Sequence, residues 1–172
     1  MAVSAIILDL DDTLVDTSML AGLRRQRRWR DVFRRINETV AYEGIVDLVN
    51  AARKNGLAVG VVTRSVSNYA NAVLDNHGIS YDALVAYHDC RNQKPSPDPV
   101  NLCLKKLGLG PDAALGLGDS EDDCLAYLAA EIPALGAGWS NELAGSAPWT
   151  RIVTVEEFSS LIIEAPKPLP SS

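Results

Sequence analysis

An apolar run near the start of the chain leads directly into a cluster of aspartates. The run Ile6–Leu8 is typical of a buried strand in a parallel sheet, and it is followed by Asp9, Asp11 and Asp12. Side chains alternate along a strand, so Asp9 and Asp11 are expected on the same side. Two carboxylates held this close raise a pKa or bind a cation, and Mg²⁺ prefers such oxygen ligands. The alternative is an acidic turn in which Asp12 and Thr13 bond to the local backbone.

The rest of the chain alternates apolar runs with helical patterns. The apolar runs predict strands at residues 3–8, 57–62, 83–86, 113–117, 132–135 and 152–155. The patterns between them predict helices at residues 44–54, 66–76, 98–108, 120–130 and 156–163. This order predicts an α/β fold with three layers, a Rossmann-like and mostly parallel sheet that carries helices on both faces.

A basic segment follows the first acidic turn. Apolar residues recur at helical spacing within residues 17–40, which predicts one amphipathic helix of roughly 18 to 20 residues. Seven of the 16 basic residues lie between Arg24 and Arg35, although the net charge of the chain is -6. Either the helix packs on the sheet with its arginines in solvent, or these arginines attract a polyanion or an acidic partner subunit.

Length and composition limit the class of protein. A chain of 172 residues is predicted to form one domain over residues 1–164, with a disordered Pro- and Ser-rich tail at 165–172. No apolar run is long enough for a membrane span, and no secretory signal is recognisable, so we expect a cytoplasmic protein. The three cysteines show no CxxC spacing and are expected to be reduced thiols.

Oxygen-bearing side chains follow three of the predicted strands. Asp9, Thr63 and Asp119 each stand at the carboxyl end of a predicted strand. In parallel sheets the ligand crevice lies beyond this edge. The sequence therefore predicts that these three residues share one site.

The segment around Asp119 has two explanations that apply to different residues. Ser120 and Asp123 form a capping box, and acidic residues in a first helical turn are favoured by the helix dipole. Asp119 precedes the cap, so capping does not explain it. We predict that Asp119 binds a metal and that Asp123 orients a water molecule or a lysine beside it.

Two further positions are candidates for binding an anion. Thr63 ends a strand before a helix, so its hydroxyl and the amides of Arg64 and Ser65 are expected to form an anion-binding corner. The alternative is a β-branched strand residue followed by a serine cap. Lys94 lies in a loop stiffened by prolines, which suits a cation that balances a charged intermediate, although loop lysines are usually solvated.

Taken together, these motifs resemble the haloacid dehalogenase superfamily of hydrolases in its phosphatase branch. The resemblance covers residues 5–137 and includes four motifs in order. They are Asp9-Leu10-Asp11-Asp12-Thr13, then Thr63, then Lys94 in Lys-Pro-Ser-Pro-Asp-Pro, then Gly118-Asp119-Ser120 with Asp123.

The resemblance implies phosphoryl transfer through an aspartyl-phosphate. It assigns the nucleophile to Asp9 and the acid and base steps to Asp11. Mg²⁺ would be held by Asp9, the Asp11 carbonyl and Asp119, while Thr63 and Lys94 bind the phosphoryl oxygens. An aspartate at position 11 also points away from dehalogenase chemistry.

Capped members of this superfamily insert a whole domain after the first or the second motif. Only 27 residues, 15–41, follow the first motif here, so the same resemblance implies a reduced helical cap at residues 15–41. The site is then open or partly covered, which fits a phosphorylated macromolecule, a phosphorylated small molecule, or a lid borrowed from another subunit of a homo-oligomer. A regulatory binding module that uses the arginine segment is the alternative from a different functional class. A phosphomutase is a weaker alternative, because its phosphorylated intermediate must be protected from water by a lid.

Overall fold

The computed structural model of the chain describes residues 3–163. Its strands, in chain order, are β1 (Ala5–Leu8), β2 (Val15–Asp16), β3 (Val40–Ala41), β4 (Ala58–Val62), β5 (Ala83–Val85), β6 (Ala114–Gly118), β7 (Ala134–Ala137) and β8 (Arg151–Val153). Its α-helices are α1 (Ala21–Arg25), α2 (Trp29–Arg34), α3 (Ile45–Lys54), α4 (Ser67–Asn76), α5 (Asp98–Leu107), α6 (Glu121–Ala129) and α7 (Val155–Ile163). The predicted tail at 165–172 lies outside the described residues.

Six of the strands form one parallel sheet, and helices cover both of its faces. The strand order is β5-β4-β1-β6-β7-β8, with every neighbouring pair parallel. Ile6 and Leu8 of β1 are buried in the same apolar cluster as residues of α3 and α4. Ile7, between them, belongs to a second cluster with residues of α5 and α6. The alternation of side chains along β1 thus separates two cores, and the predicted α/β class is confirmed.

The predicted strand and helix positions are close to those observed, with one clear shift. The strand expected at residues 132–135 lies at Ala134–Ala137 instead. Ile132 is buried as expected, but its amide donates to the carbonyl of Tyr127 and so closes the end of α6. The prediction began the strand too early, because Ile132 in the connection before it is as apolar and buried as the strand residues.

The single long helix predicted within residues 17–40 is wrong. The segment contains α1 and α2, flanked by short 3-10 turns at Ser18–Leu20 and Ile36–Glu38. The break falls at Arg27, whose φ of 54° lies in the left-handed region. The amide of Arg28 bonds back to the Leu23 carbonyl and that of Arg27 to the Arg24 carbonyl, which is the Schellman ending of a helix.

A two-stranded ribbon closes this segment at its base. β2 and β3 pair antiparallel, with Val15 opposite Ala41 and Asp16 opposite Val40. This ribbon was not predicted, because strands of two residues are too short to show a periodic pattern. It places the entry and exit of the segment side by side next to the first acidic turn.

Between residues 3 and 163, no helix is long and apolar enough to cross a lipid bilayer.

Candidate active site

The three predicted rim residues meet at the carboxyl edge of the sheet. Asp9, Thr63 and Asp119 directly follow the adjacent strands β1, β4 and β6. All three line one cleft of about 870 Å³. Asp11, Arg64, Lys94 and Asp123 line the same cleft, so every candidate residue from the sequence is in one place.

Lys94 is buried beneath the cleft floor and joins two carboxylates. Its Nζ donates to Asp9 Oδ1 at 2.7 Å and to the Val62 carbonyl at 2.9 Å, and it also bonds to Asp123 Oδ1. The lysine is therefore held by three acceptors rather than solvated. Its loop is fixed by Gln93, whose Nε2 donates to the carbonyls of Tyr87 (2.7 Å) and Cys90 (2.9 Å).

Asp119 and Asp123 occupy different environments at the start of α6. Asp123 Oδ2 accepts from the Ser120 amide at 3.0 Å and from the Ser120 hydroxyl at 2.7 Å, which completes the predicted capping box. Asp119 Oδ1 instead accepts from the Thr13 hydroxyl at 2.8 Å. The Asp123 carboxylate thus bonds to the cap and to Lys94, whereas the Asp119 carboxylate accepts a hydrogen bond only from the first motif within residues 3–163.

Burial and charge shift the ionisation of this group. Burial raises the pKa of Asp9 well above its ordinary value, as do the carboxylates of Asp123 and Asp119, while Lys94 opposes this. Burial, with the Asp123 carboxylate, raises the pKa of Asp119 to about 7. Burial alone would lower the pKa of Lys94, but Asp123 and Asp9 raise it above the ordinary value, so the lysine is charged. Three carboxylates around one ammonium leave an excess of negative charge.

The oxygen atoms that remain free suit a hard divalent cation. Carboxylate oxygens of Asp9, Asp119 and Asp123 lie within 4.8 Å of one another. Both oxygens of Asp123 are engaged by Lys94 and Ser120, whereas Asp9 Oδ2 and Asp119 Oδ2 accept no hydrogen bond within residues 3–163. The Asp11 carbonyl oxygen likewise accepts none in that range. This donor set of all-oxygen ligands fits Mg²⁺.

The Asp11 carboxylate is held by four side chains. Its Oδ1 accepts from the Thr17 hydroxyl at 2.7 Å and the Tyr69 hydroxyl at 2.8 Å, and its Oδ2 accepts from the Ser65 hydroxyl at 2.6 Å. Arg24 Nη1 lies 2.6 Å from Oδ1. Burial and the Asp11 charge raise the pKa of Tyr69, so its hydroxyl remains a donor. Asp11 is therefore positioned by residues of α1 and α4 and of the connections that precede these helices.

The predicted anion-binding corner is only partly formed. Thr63 is buried beside the cleft, and its Oγ1 accepts from the Ser65 amide at 3.0 Å. That amide is consequently not available to an anion, contrary to expectation. The Thr63 hydroxyl hydrogen is not used in this bond and is free to donate. Arg64 lines the cleft, and its exposed guanidinium pairs with Asp122 at 2.6 Å.

Five of the seven arginines at residues 24–35 fall into three groups. Arg24 reaches Asp11 inside the cleft, and Arg25 and Arg27 are exposed residues of the cleft wall. Arg28 and Arg35 instead pair with Asp31 and Glu38 on the surface, each at 2.7 Å. The segment is therefore part of the site as well as a basic surface.

The sequence analysis did not predict contacts with the site for several side chains that the fold brings there. These residues are Thr13, Thr17, Ser65, Tyr69, Gln93 and Trp139. The Nε1 atom of Trp139 donates a hydrogen bond to the Thr13 carbonyl at 2.9 Å. Thr13 could have been found from the sequence, because it is the last residue of the first motif. Tyr69 has no such signal, because its place in the apolar pattern of α4 is that of a core residue.

Comparison with known proteins places this arrangement in a family. Residues 23–137, more than half of the chain, match the family described as haloacid dehalogenase-like hydrolase. The chain belongs to this family. The matched range of this haloacid dehalogenase-like hydrolase contains Thr63, Lys94 and Asp119, while Asp9 and Asp11 precede it.

Relatives of this haloacid dehalogenase-like hydrolase carry phosphatase names. It is 33% identical to pyrophosphatase PpaX of Bacillus pumilus over 101 residues, which is 58% of this chain and 47% of that protein. It is 32% identical to phosphoglycolate phosphatase of Salmonella typhimurium over 100 residues, 57% of this chain and 40% of that protein. The matches thus span less than half the length of these two relatives.

A solved structure supports the fold of this haloacid dehalogenase-like hydrolase. CbbY from Rhodobacter sphaeroides, crystallised in complex with phosphate, superposes with a TM-score of 0.74 at 19% identity. The superposition covers 94% of this chain and 96% of that one. At this identity the likeness concerns the fold alone.

Proposed function

We propose that this protein is a Mg²⁺-dependent phosphomonoester hydrolase that acts through a phosphorylated Asp9. The observation that supports it most is the grouping of Asp9, Asp119, Thr63 and buried Lys94 in one cleft at the carboxyl edge of the sheet. Such a set offers a nucleophile, cation ligands and donors for phosphoryl oxygens. The membership in a hydrolase family and the phosphatase names of relatives agree with this chemistry.

In this proposal Asp9, Asp119 and the Asp11 carbonyl hold Mg²⁺. When bound, the ion supplies positive charge that offsets the charge of the phosphoryl group. Three carboxylates, those of Asp9, Asp119 and Asp123, lie around the single ammonium of Lys94, and this local imbalance favours such an ion. Asp123 stays outside the ligand set, because its two oxygens are used by Lys94 and Ser120.

The protein residues then carry two displacements at phosphorus. The Asp9 carboxylate attacks the phosphoryl group and the bond to the ester oxygen breaks, while that oxygen takes a proton from Asp11, which enters this step as the carboxylic acid and leaves it as the carboxylate. Asp11 next accepts a proton from a water molecule, which attacks the acyl phosphate. This releases inorganic phosphate and restores the Asp9 carboxylate.

Other residues position the reacting groups and balance their charge. Lys94 fixes one oxygen of Asp9 through its bond to Oδ1 and faces the same cleft as the phosphoryl group. Thr63 has a hydroxyl hydrogen free for a phosphoryl oxygen. Because these donors are already held in place, they need little reorganisation when charge develops.

Residues 15–41 form the reduced cap of this proposed enzyme. They supply α1, α2 and the ribbon β2–β3, and they place arginines on the cleft wall. The relatives named pyrophosphatase and phosphoglycolate phosphatase make small phosphate compounds the first substrates to test. Three free cysteines fit a reducing compartment, in keeping with a cytoplasmic enzyme.

The test is release of phosphate from p-nitrophenyl phosphate with and without Mg²⁺. We expect metal-dependent turnover, and we expect Asp9→Asn to lose at least about 10³-fold in kcat because the nucleophile is removed. Asp112→Asn, an exposed aspartate outside the cleft, is the matched control and should keep the wild-type rate. Turnover in Asp9→Asn equal to wild type, or no turnover in a folded sample with Mg²⁺, would refute the proposal.

A further inference from the structure

Arg24 crosses from the cap segment to the first motif. It is the residue through which α1 reaches the site: Nη1 lies 2.6 Å from Asp11 Oδ1 and 3.4 Å from the Ser65 hydroxyl. Its Nη2 donates to the Thr17 hydroxyl at 3.2 Å. The side chain is 18% exposed and lines the cleft beside the candidate nucleophile.

One donor of this guanidinium has no partner. Arg24 Nε is buried and makes no hydrogen bond within residues 3–163. A buried donor without a partner costs about 1–3 kcal/mol. The guanidinium also lies 5.2 Å from the centre of the Tyr69 ring. This cation–π contact attracts the charge but accepts no hydrogen bond from Nε. Arg24 is thus incompletely satisfied where it stands.

Asp11 does not depend on Arg24 for its hydrogen bonds. The hydroxyls of Thr17, Ser65 and Tyr69 already occupy both of its oxygens. If the guanidinium moves away, the carboxylate keeps these three donors. The ion pair can therefore exchange for another anion at modest cost to Asp11.

The cleft wall around Arg24 is basic. Arg25 and Arg27 are exposed residues of the same wall, and His88 lines the cleft as well. Arg25 and Arg27 form no ion pair with a residue of the range 3–163. A second negative group on the substrate would meet these charges, whereas a neutral leaving group would not.

We propose that Arg24 is a specificity-determining residue that leaves Asp11 to bind a second oxyanion, carboxylate or phosphate, on the leaving side of the substrate. The inference rests on the proposed phosphatase function and narrows its substrate class. A guanidinium bonds a carboxylate or phosphate through two parallel N–H groups, which would give Nε the partner it lacks. The same movement removes the ion pair from Asp11 only when an anionic substrate is present.

Two substrates of similar size isolate the second charge. We would measure kcat/KM for ethyl phosphate and for 2-phosphoglycolate, which has a carboxylate in place of the methyl group. We expect Arg24→Gln to lower the ratio of 2-phosphoglycolate to ethyl phosphate at least about tenfold relative to wild type, equal to about 1.4 kcal/mol. Intrinsic differences between the leaving groups cancel in this comparison. Ethane-1,2-diol bisphosphate tests phosphate as the second anion in the same way.

Arg53→Gln is the matched control. Arg53 also pairs with an aspartate, Asp82, at 2.8 Å, but it lies on the surface outside the cleft. Its substitution should leave the ratio unchanged. Arg24→Lys keeps the charge without the two parallel donors, so it should retain an intermediate preference and also serves if Arg24→Gln does not fold. Equal losses on all three substrates would mean a purely structural role and would overturn the proposal.

A binding measurement separates this inference from the proposed function. In Asp9→Asn, which cannot form the acyl phosphate, calorimetry should show tighter binding of 2-phosphoglycolate or the bisphosphate than of ethyl phosphate, with the preference lost on adding Arg24→Gln. This result would support the anion site even if wild type hydrolysed nothing. The absence of any preference in Asp9→Asn would overturn the site even if wild type were an active phosphatase.

Discussion

At the scale of single residues, Lys94 has the most demanding environment. Its side chain is 2% exposed and its ammonium lies between Asp9 and Asp123. A buried charge is tolerated only where it is paired and hydrogen bonded. The pairing here is complete, so the lysine links the end of β1 to the start of α6.

Lys94→Met should therefore destabilise the protein by about 3–5 kcal/mol, because it leaves two buried carboxylates without their counter-ion. Urea unfolding followed by circular dichroism measures this loss. Lys106→Met is the matched control: Lys106 is an exposed lysine 3.9 Å from Asp89 and should cost less than about 1 kcal/mol. Similar losses in the two variants would show that the buried ion group is not a main support of the fold.

At the scale of secondary-structure elements, β6 approaches α6 so closely that a side chain has no room at Gly118. A Cβ there would lie 2.5 Å from Asp123 Cβ and 2.7 Å from its Cγ. Gly116, two residues earlier, would place a Cβ 2.4 Å from the ring of Tyr127. The two glycines therefore meet different parts of the same helix.

Gly118→Ala should lower activity far more than Gly116→Ala at a similar cost in stability. Each crowded methyl group should cost about 1–3 kcal/mol in the free energy of unfolding. Only Gly118→Ala displaces Asp123 and, through it, Lys94. Phosphate release per folded molecule and urea unfolding of both variants test this, and equal activity per folded molecule would contradict it.

The end of α4 contributes a pH-dependent contact. His77 Nε2 lies 2.8 Å from Thr39 Oγ1, and the Thr39 hydroxyl donates to the Ile36 carbonyl, so the imidazole is the donor. Burial lowers the pKa of His77 below its ordinary value. The unfolded chain then binds the proton more readily than the folded one. The contribution of His77 to stability is complete above about pH 6.5 and declines as the pH falls through the folded-state pKa.

We expect the loss of stability between about pH 7.5 and pH 5.5 to be smaller in His77→Gln than in wild type. Glutamine keeps a donor for Thr39 but does not titrate. Because His77 is half-buried, the difference should stay below about 1 kcal/mol. Urea unfolding at the two pH values measures it, and identical pH dependence in both proteins would exclude a role for this histidine.

The break between α1 and α2 shows what local patterns omit. The predicted apolar face is only partly confirmed, since Val32 and Ile36 are buried whereas Phe33 and Val40 are exposed. The left-handed residue that ends α1 is Arg27, where a glycine would have been the usual signal. Repulsion among arginines three and four positions apart also disfavours a continuous helix. The pairing of Arg24 with Asp11 then fixes the shorter helix, and that contact depends on tertiary structure.

At the scale of the whole molecule, the sequence predicts those features of the site that follow from the position of each residue in the parallel sheet. Strand order along the chain and the carboxyl edge were enough to predict that Asp9, Thr63 and Asp119 meet. The hydrogen bonds to the Asp11 carboxylate were not predictable, because Tyr69 donates from α4, whose pattern describes only packing, and Ser65 donates from the connection before that helix. Contacts made by side chains from different layers have no period in the sequence.

The proposed metal site makes a prediction about global stability. A ligand that binds only the folded state at about one hundred times its Kd stabilises it by about 2.7 kcal/mol, which is about 5–10 °C in Tm for a chain of this size. We expect this rise with Mg²⁺ in wild type and in Asp112→Asn. Asp119→Asn should lose most of it, because one of the two free carboxylate ligands is removed. Thermal unfolding by circular dichroism measures the shift, and a full rise in Asp119→Asn would place the ion elsewhere.

The ribbon β2–β3 has a consequence for how such chains diversify. Asp16 pairs with Val40, so the two ends of the segment between them lie side by side. The number of residues in that segment can therefore change without a change in the large sheet. Doubling the length of a flexible connection adds only about 0.6 kcal/mol of closure entropy. The ribbon thus allows a shorter or longer segment to join its two strands while Asp9 and Asp11 keep their positions, so this segment and the edge of the sheet can change independently in evolution.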